Sequence, residues 1–418
     1  MKDHITPNLL KLARLFKKKG ELYVVGGYVR NALLGNYETD IDLASRLTND
    51  EIKEILFGTK YEVKETSKKL GTLLISLGEE KWEHATFRKE EYNEGGDHVP
   101  TKVEFIDDIK EDAKRRDFTV NAIYYNILKN EFVDFYNGIS DVRKRIIRTV
   151  ETPSHVFKND GLRILRMIRI ASELGFKISG ETMFGAYEMR ENLNAISGQR
   201  KFQELNLILN SSKRYEISRP NSHLFGLRVM NVLRLWKYYN SPVLKISFNL
   251  VSKVGQENRF VALLLDIIAS SKFKYKHDQI ELVNQLLGRF GLCLTENKIE
   301  NYKHIVAGYY DALEKKENKE YFINYFEDFK TISELLIHKS KKIYQKYNFF
   351  YNYIKNNKVP IRIKDLKITG PDIKTKYPKI KDKYYKTILT ELLSKVFDGV
   401  IKNEKEALLE EVANIKIN

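Results

Sequence analysis

A single cysteine, Cys293, is all that 418 residues contain. One thiol can build neither an internal disulfide nor a cysteine-based zinc site, and its Leu-rich surroundings read as a buried apolar position. Prolines are also few, eight in all, which leaves long stretches free to be helical. No apolar run reaches the length needed to span a bilayer. The opening MKDHITPNLLKLARLFKKKG is polar with amphipathic spacing, unlike a secretory leader, so we expect a cytoplasmic protein with no membrane partner. Acidic residues are outnumbered, 56 against 72 basic ones, for a net charge of +16. That excess attracts polyanions, nucleic acid first among them, although a Lys-rich genome produces the same surplus. Hydrophobic residues at 42% supply an ordered core, and the length suits two to four domains.

What is present divides in two. Residues 22–25 form a short apolar run stopped by Gly26 and Gly27, a buried strand entering a tight turn, and 29–34 open a helix. Further strands are expected at 41–44, 73–77 and 82–87, giving a small mixed sheet flanked by helices. From Pro153 the periodicity turns helical. Residues 161–174 set Leu162, Leu165, Ile168 and Ala171 on one stripe, with Arg163, Arg166 and Arg169 three apart. Residues 337–358 read as one Lys- and Tyr-rich helix ended by Pro360, 366–371 as a turn-rich joint, and 384–412 as the last helical region. The fold class expected is α+β: a head with a small mixed sheet, then an all-helical body and tail.

The most specific chemistry lies in Asp40-Ile41-Asp42. On a strand, residues two apart share a face, so both carboxylates would project together. Their repulsion is relieved by divalent cations. Two Mg²⁺ ions about 3.5–4 Å apart can activate an attacking hydroxyl and stabilise a leaving pyrophosphate. An isolated D-x-D is more often a turn or a solvated strand edge. Here, however, Gly26 and Gly27 at a helix start offer bare backbone N–H groups to a triphosphate, and Arg30 follows one turn later. Each of these alone reads as an ordinary turn or helix face; the set is far more specific than any member.

The run GGYVRNALLGNYETDIDLAS resembles the signature of the class II tRNA nucleotidyltransferase and bacterial poly(A) polymerase family, within the polymerase-β-like superfamily. The resemblance implies a polymerase-β-like head, with Asp40 and Asp42 as catalytic ligands of two Mg²⁺ and Gly26, Gly27 and Arg30 at the nucleotide. Asn31 stands where the family usually has Asp. Residues 82–88 resemble the strand beside the D-x-D strand, with Glu83 where a third carboxylate would stand; a solvent-facing glutamate is the alternative. Residues 115–122 are similar to the family's second signature, which implies Arg116 and Asp117 on the nucleotide's phosphates and ribose and leaves Arg115 a structural partner. DFYNGISD, 134–141, matches the head-to-body connector, where Gly138 suits a flexible joint.

Residues 159–169 resemble the EDxxRxxR helix that replaces a template. That implies Asp160 and Arg163 reading a base edge: a carboxylate accepts from the cytosine amino group, a guanidinium donates to ring acceptors, and a re-aimed pair reads adenine. Arg166 and Arg169 would hold the triphosphate; the plainer alternative is a basic amphipathic helix with i,i+3 ion pairs. Asn159 replaces the usual Glu. Residues 196–200 with Glu204 resemble the block bracing this helix, and 370–372 with 396–409 resemble the family's tail.

Four segments are therefore expected: a catalytic head (1–140), a base-recognition neck (141–210), a helical body (211–335) and an RNA-binding tail (336–418). The implied activity is addition of C, C and A to tRNA from CTP and ATP. The tRNA acceptor stem and elbow would lie along a tail bearing Lys339, Lys341, Lys342, Lys346, Arg362 and Lys364, and no stable protein partner is implied. The loop at 88–98, with Tyr92 and Glu94, compares in length with enzymes that add all three nucleotides. The alternatives are a poly(A) polymerase, a catalytically silent RNA-binding relative, and a nucleotidyltransferase of small molecules. His277-Asp278 lacks the spaced histidines of a phosphohydrolase and Leu265 precedes Asp266, so no hydrolase site is expected.

Overall fold

The structure is a computed structural model that describes residues 1–93, 100–213, 220–271, 276–290, 294–314 and 318–415. Cys293 and the loop residue Glu94 lie outside the described residues. The chain divides into two compact units, Met1–Ile246 and Ser247–Asn418.

The first unit is built on a seven-stranded sheet of order β3-β4-β5-β2-β1-β8-β9. Its strands are β1 (Tyr23–Val25), β2 (Asp42–Ser45), β3 (Glu62–Ser67), β4 (Thr72–Leu77), β5 (Glu80–Thr86), β8 (Tyr124–Asn126) and β9 (Glu131–Val133). β6 (Arg88–Glu91) and β7 (Lys102–Phe105) form a separate antiparallel pair. β2 and β5 run parallel, while β1 is antiparallel to both β2 and β8. That register sets Asp42 opposite Val25 on one side and Glu83 on the other. All of β1 is buried, as an apolar run with sheet neighbours on both sides requires. Tyr23, Val25, Ala44, Phe87, Ala113, Ala122 and Tyr124 form a core cluster beneath it.

Helices fill the rest. α1 (Pro7–Phe16) starts where Thr6 accepts from Leu9 N, with Pro7 in the first turn, and it buries Leu9, Leu12, Ala13 and Phe16. α2 (Gly27–Leu33), α3 (Asn49–Leu56) and α4 (Ile109–Lys114) flank the sheet. α5 (Gly138–Lys144) is followed by β10 (Ile146–Ile147), α6 (Pro153–Asn159), α7 (Leu162–Leu174), β11 (Lys177–Ile178), α8 (Gly180–Glu188), α9 (Gly198–Leu209) and α10 (Ser222–Val232). α7 is packed tightly near both ends. A Cβ at Gly161 would come 2.7 Å from the Asn192 carbonyl oxygen, and one at Gly226 of α10 would press 2.6 Å from the Ser172 hydroxyl.

Several expectations change. The helix expected through 159–169 breaks at Asp160, whose backbone is extended (φ −149°, ψ 103°). The physical reason is a cap: the Asp160 carboxylate accepts from Leu162 N at 2.8 Å. Gly138 is no flexible joint. It begins α5, and a Cβ there would collide with the Thr119 carbonyl oxygen, so close backbone packing demands the glycine. Residues 88–91, read as loop, are strand β6.

The second unit is helical: α11 (Arg259–Ser271), α12 (Lys276–Phe290), α13 (Glu296–Leu313), α14 (Asn318–Tyr325), α15 (Phe329–Lys339), α16 (Lys341–Asn356), α17 (Gly370–Lys376), α18 (Tyr385–Phe397) and α19 (Lys405–Glu411). The single helix expected at 337–358 is split at Ser340, whose hydroxyl caps α16 by accepting from Ile343 N. The last region is likewise split, after Asp398, where Gly399 takes φ +71°. Among the described residues, no helix is long and apolar enough to cross a membrane.

Candidate active site

One cleft of about 790 Å³ in the first unit is lined by Gly26, Gly27, Arg30, Asp40, Asp42, Arg116, Asp117, Asp160, Arg163, Arg166 and Arg169. All the expected site residues except Glu83 therefore meet in one place.

The acidic end differs from its expected geometry. β2 begins at Asp42, and Asp40 precedes it on exposed, irregular chain, so strand alternation does not aim the pair. They are nonetheless neighbours. Burial, the in-register Glu83 charge and the Asp40 charge push the Asp42 carboxyl up to about 6, with Arg116 opposing. Glu83 does not line the cleft, and among the described residues no three His, Cys, Asp or Glu side chains converge to hold an ion alone. Two carboxylates under mutual repulsion suit Mg²⁺, a hard cation that takes one or two protein carboxylates and completes its shell with phosphates and water.

Beside them, β1 ends at Gly26 with φ +72°, a conformation that favours glycine, and a Cβ there would stand 3.5 Å from Asp42 Oδ2. Arg30, 5% exposed, is held in place on α2. Its Nε and Nη2 donate to Asn31 Oδ1 at 3.0 and 2.9 Å, and Nη1 to Asn121 Oδ1 at 2.6 Å. Asn31 thus accepts the fork that a carboxylate would, but its buried Nδ2 has no hydrogen-bond partner. Asn121 Nδ2 donates to Asp117 Oδ1 at 3.0 Å, and Arg166 donates to Asp117 Oδ2 at 2.7 and 3.0 Å. A hydrogen-bonded chain therefore runs from α2 to α7. Burial alone would raise the Asp117 carboxyl; the Arg166 charge and the Asn121 hydrogen bond outweigh it and hold it well below the usual range.

Behind Arg116 lies a second network. Asp112, fully buried on α4, accepts from Arg88 N (3.1 Å), Arg115 Nε (2.8 Å), Tyr124 Oη (2.5 Å) and Arg116 Nη2 (3.3 Å). Burial works against its charge, but Arg115 and Arg116 outweigh it and hold the carboxyl well below normal. Arg116 Nε donates to Tyr124 Oη at 2.7 Å, so its guanidinium is fixed between a carboxylate, a phenol and the Asp42 field. Glu90 ties this network to the β6 hairpin, accepting from Arg88 Nε, Arg115 Nη1 and Tyr92 Oη at 2.7, 3.2 and 2.5 Å.

At the far end Asp160 and Arg163, 4% and 8% exposed, form a 3.7 Å ion pair, and Arg163 Nη2 donates to the Arg115 carbonyl at 2.8 Å. The Tyr92 hydroxyl feels both charges. Asn159, half-buried, meets His155 Nε2 at 3.2 Å. Arg169 is engaged by Glu204 at 2.8 Å and Glu173 at 3.4 Å, so Glu204 on α9 braces α7.

Sequence reasoning missed Asp112, Glu90 and Tyr124. Asp112 carried a signal, because it stands three and four residues before Arg115 and Arg116 on one helix face. Glu90 carried another, two residues after Arg88 on a strand. Nothing local marked Tyr124.

Comparison with known proteins bears on this arrangement. Residues 22–148 match the family model described as the poly A polymerase head domain. The chain is 28% identical over 416 residues to the CCA-adding enzyme of Staphylococcus epidermidis, covering 97% of each. It also resembles the solved structure of the Bacillus stearothermophilus CCA-adding enzyme in complex with CTP, with TM-score 0.67, 21% identity and 97% and 96% of the two chains covered. A CCA-adding enzyme solved with ATP matches at TM-score 0.67 and 22% identity, over 99% and 96%.

Proposed function

We propose that this chain, whose residues 22–148 match the poly A polymerase head domain and which resembles CCA-adding enzymes along its length, is a class II tRNA nucleotidyltransferase that adds C, C and A to the 3′ end of tRNA from CTP and ATP. The observation that carries this reading is the single cleft in which paired carboxylates, positioned arginines and the Asp160–Arg163 pair all meet.

Asp40 and Asp42 would hold the two Mg²⁺, which when bound lower the pKa of the RNA 3′-hydroxyl and neutralise the departing pyrophosphate. Arg30 and Arg116, held by Asn31, Asn121, Asp112 and Tyr124, donate to triphosphate oxygens without having to be ordered first. Asp117 orients the ribose, steadied by Arg166. Arg169, tied to Glu204, keeps α7 in place. Asp160 and Arg163 read the base edge: Asp160 accepts from an amino group, and Arg163 donates to a ring nitrogen or carbonyl.

The acceptor would lie along the helical tail. Residues 335–364 contain no Asp or Glu but eight Lys and Arg. On α16, Phe349 and Tyr353 are exposed beside Asn348, Asn352 and Asn356, a lining suited to RNA backbone and bases. We assign the acceptor stem and elbow to this surface, the reaction to the cytoplasm, and the four-segment division to head, neck, body and tail.

The test incubates the protein with Mg²⁺, CTP, ATP and a tRNA ending at its discriminator base, then sequences the product ends. A defined CCA is expected. An open-ended A tract would assign the chain to poly(A) synthesis, and no extension would overturn the reading. Binding of tRNA should also weaken steeply as salt rises.

A further inference from the structure

Asp40 is the less secured of the paired carboxylates. It is exposed, and it follows a stretch without regular structure between α2 and β2. Asn36 N donates to the Asn31 carbonyl and Glu38 N to Asn36 Oδ1, and the next fixed point is β2 at Asp42. Thr39, between those points, has a buried hydroxyl with no hydrogen-bond partner. The pin of the stretch is Tyr37. Its ring stacks on His4 with centroids 3.4 Å apart and planes 8° from parallel. Its other neighbour is Tyr28, met edge-on at 6.5 Å, which is 3% exposed on α2 two residues before Arg30.

We propose that His4, on the N-terminal turn Lys2–His4, is a positioning residue for the metal end of the cleft. It closes Tyr37 against Tyr28 and so holds Asp40 where it can share a cation with Asp42. The inference rests on the metal assignment above and adds a residue outside the cleft lining. A carboxylate on a loose segment must lose conformational freedom when it binds an ion; one already pinned loses less. Aromatic ring contacts in general are strong enough to shift affinity by about 3–10-fold.

The experiment titrates the full chain with Mn²⁺, followed by electron paramagnetic resonance, for wild type, His4→Ala, His4→Phe and Asp40→Ala. His4→Ala should weaken Mn²⁺ binding about 3–10-fold, and His4→Phe, which keeps a ring, should restore it to within about twofold. In parallel assays His4→Ala should raise the Mg²⁺ needed for half-maximal extension and leave KM for CTP unchanged at saturating Mg²⁺. Equal Mn²⁺ affinity of wild type and His4→Ala, or no rescue by His4→Phe, overturns the role of His4. Wild type that binds Mn²⁺ no better than Asp40→Ala overturns the metal assignment itself, a result distinct from the first.

Discussion

At the Asp42 end of the cleft the carboxylates repel one another, whereas around Asp112 and Asp117 each carboxylate is matched by guanidinium groups. The first arrangement costs the protein stability when no cation is bound. The second is complete within the chain and needs nothing from solution. The end proposed to perform chemistry is thus left electrostatically unfinished, and the end proposed to orient substrate is finished in advance.

That contrast can be broken most severely at Asp42. Asp42→Ala should reduce extension to background, a loss of about 10⁴-fold, measured by incorporation of labelled CTP. Asp42→Asn should be equally inactive yet more stable than metal-free wild type at pH 7.5. The sign follows from the raised value. The folded protein retains a proton up to about pH 6 that the unfolded chain releases near the ordinary 3.8. Ionisation of Asp42 therefore destabilises the fold progressively as pH rises from 3.8 through about 6. The advantage of the variant, about 3 kcal/mol at neutral pH, should shrink as pH falls below 6, which thermal melts in chelator would reveal.

The completed end should respond in the opposite sense. Asp112→Ala leaves half-buried Arg115 and Arg116 without their shared carboxylate and should cost about 3–5 kcal/mol, seen as a large fall in melting temperature. At the Asp160–Arg163 pair, proposed to read the base, Arg163→Ala should blur the choice between CTP and ATP by about 10–100-fold with a smaller effect on melting. Competition assays with both nucleotides would measure it. The smallest change is expected from Asn31→Asp. It replaces an orphaned buried amide nitrogen by a second acceptor beside Arg30 and should stabilise by about 1 kcal/mol.

The sequence exposed the acidic end more readily than the completed one. A buried β1 stopped by two glycines is a local signal, and so are two aspartates separated by one residue. The long-range pairings carry no such mark. Asp112 meets Arg88 N from 24 residues away, and Asp117 meets Arg166 from 49. Helical periodicity from residue 161 correctly marked α7, whereas the resemblance carried a helix back through Asp160, whose side chain caps the start of α7. A side-chain cap likewise hid the break at Ser340. β8, only three residues long and wholly buried, has too few residues to display an alternation.

The two glycine contacts on α7 carry a mechanical consequence. Asn192 abuts the chain at Gly161 near one end of the helix, and Gly226 abuts Ser172 near the other, so the rod is held close against its neighbours at both ends. In the proposed reaction, a change of base would then fall to the side chains of Asp160 and Arg163, a turnstile on a fixed post.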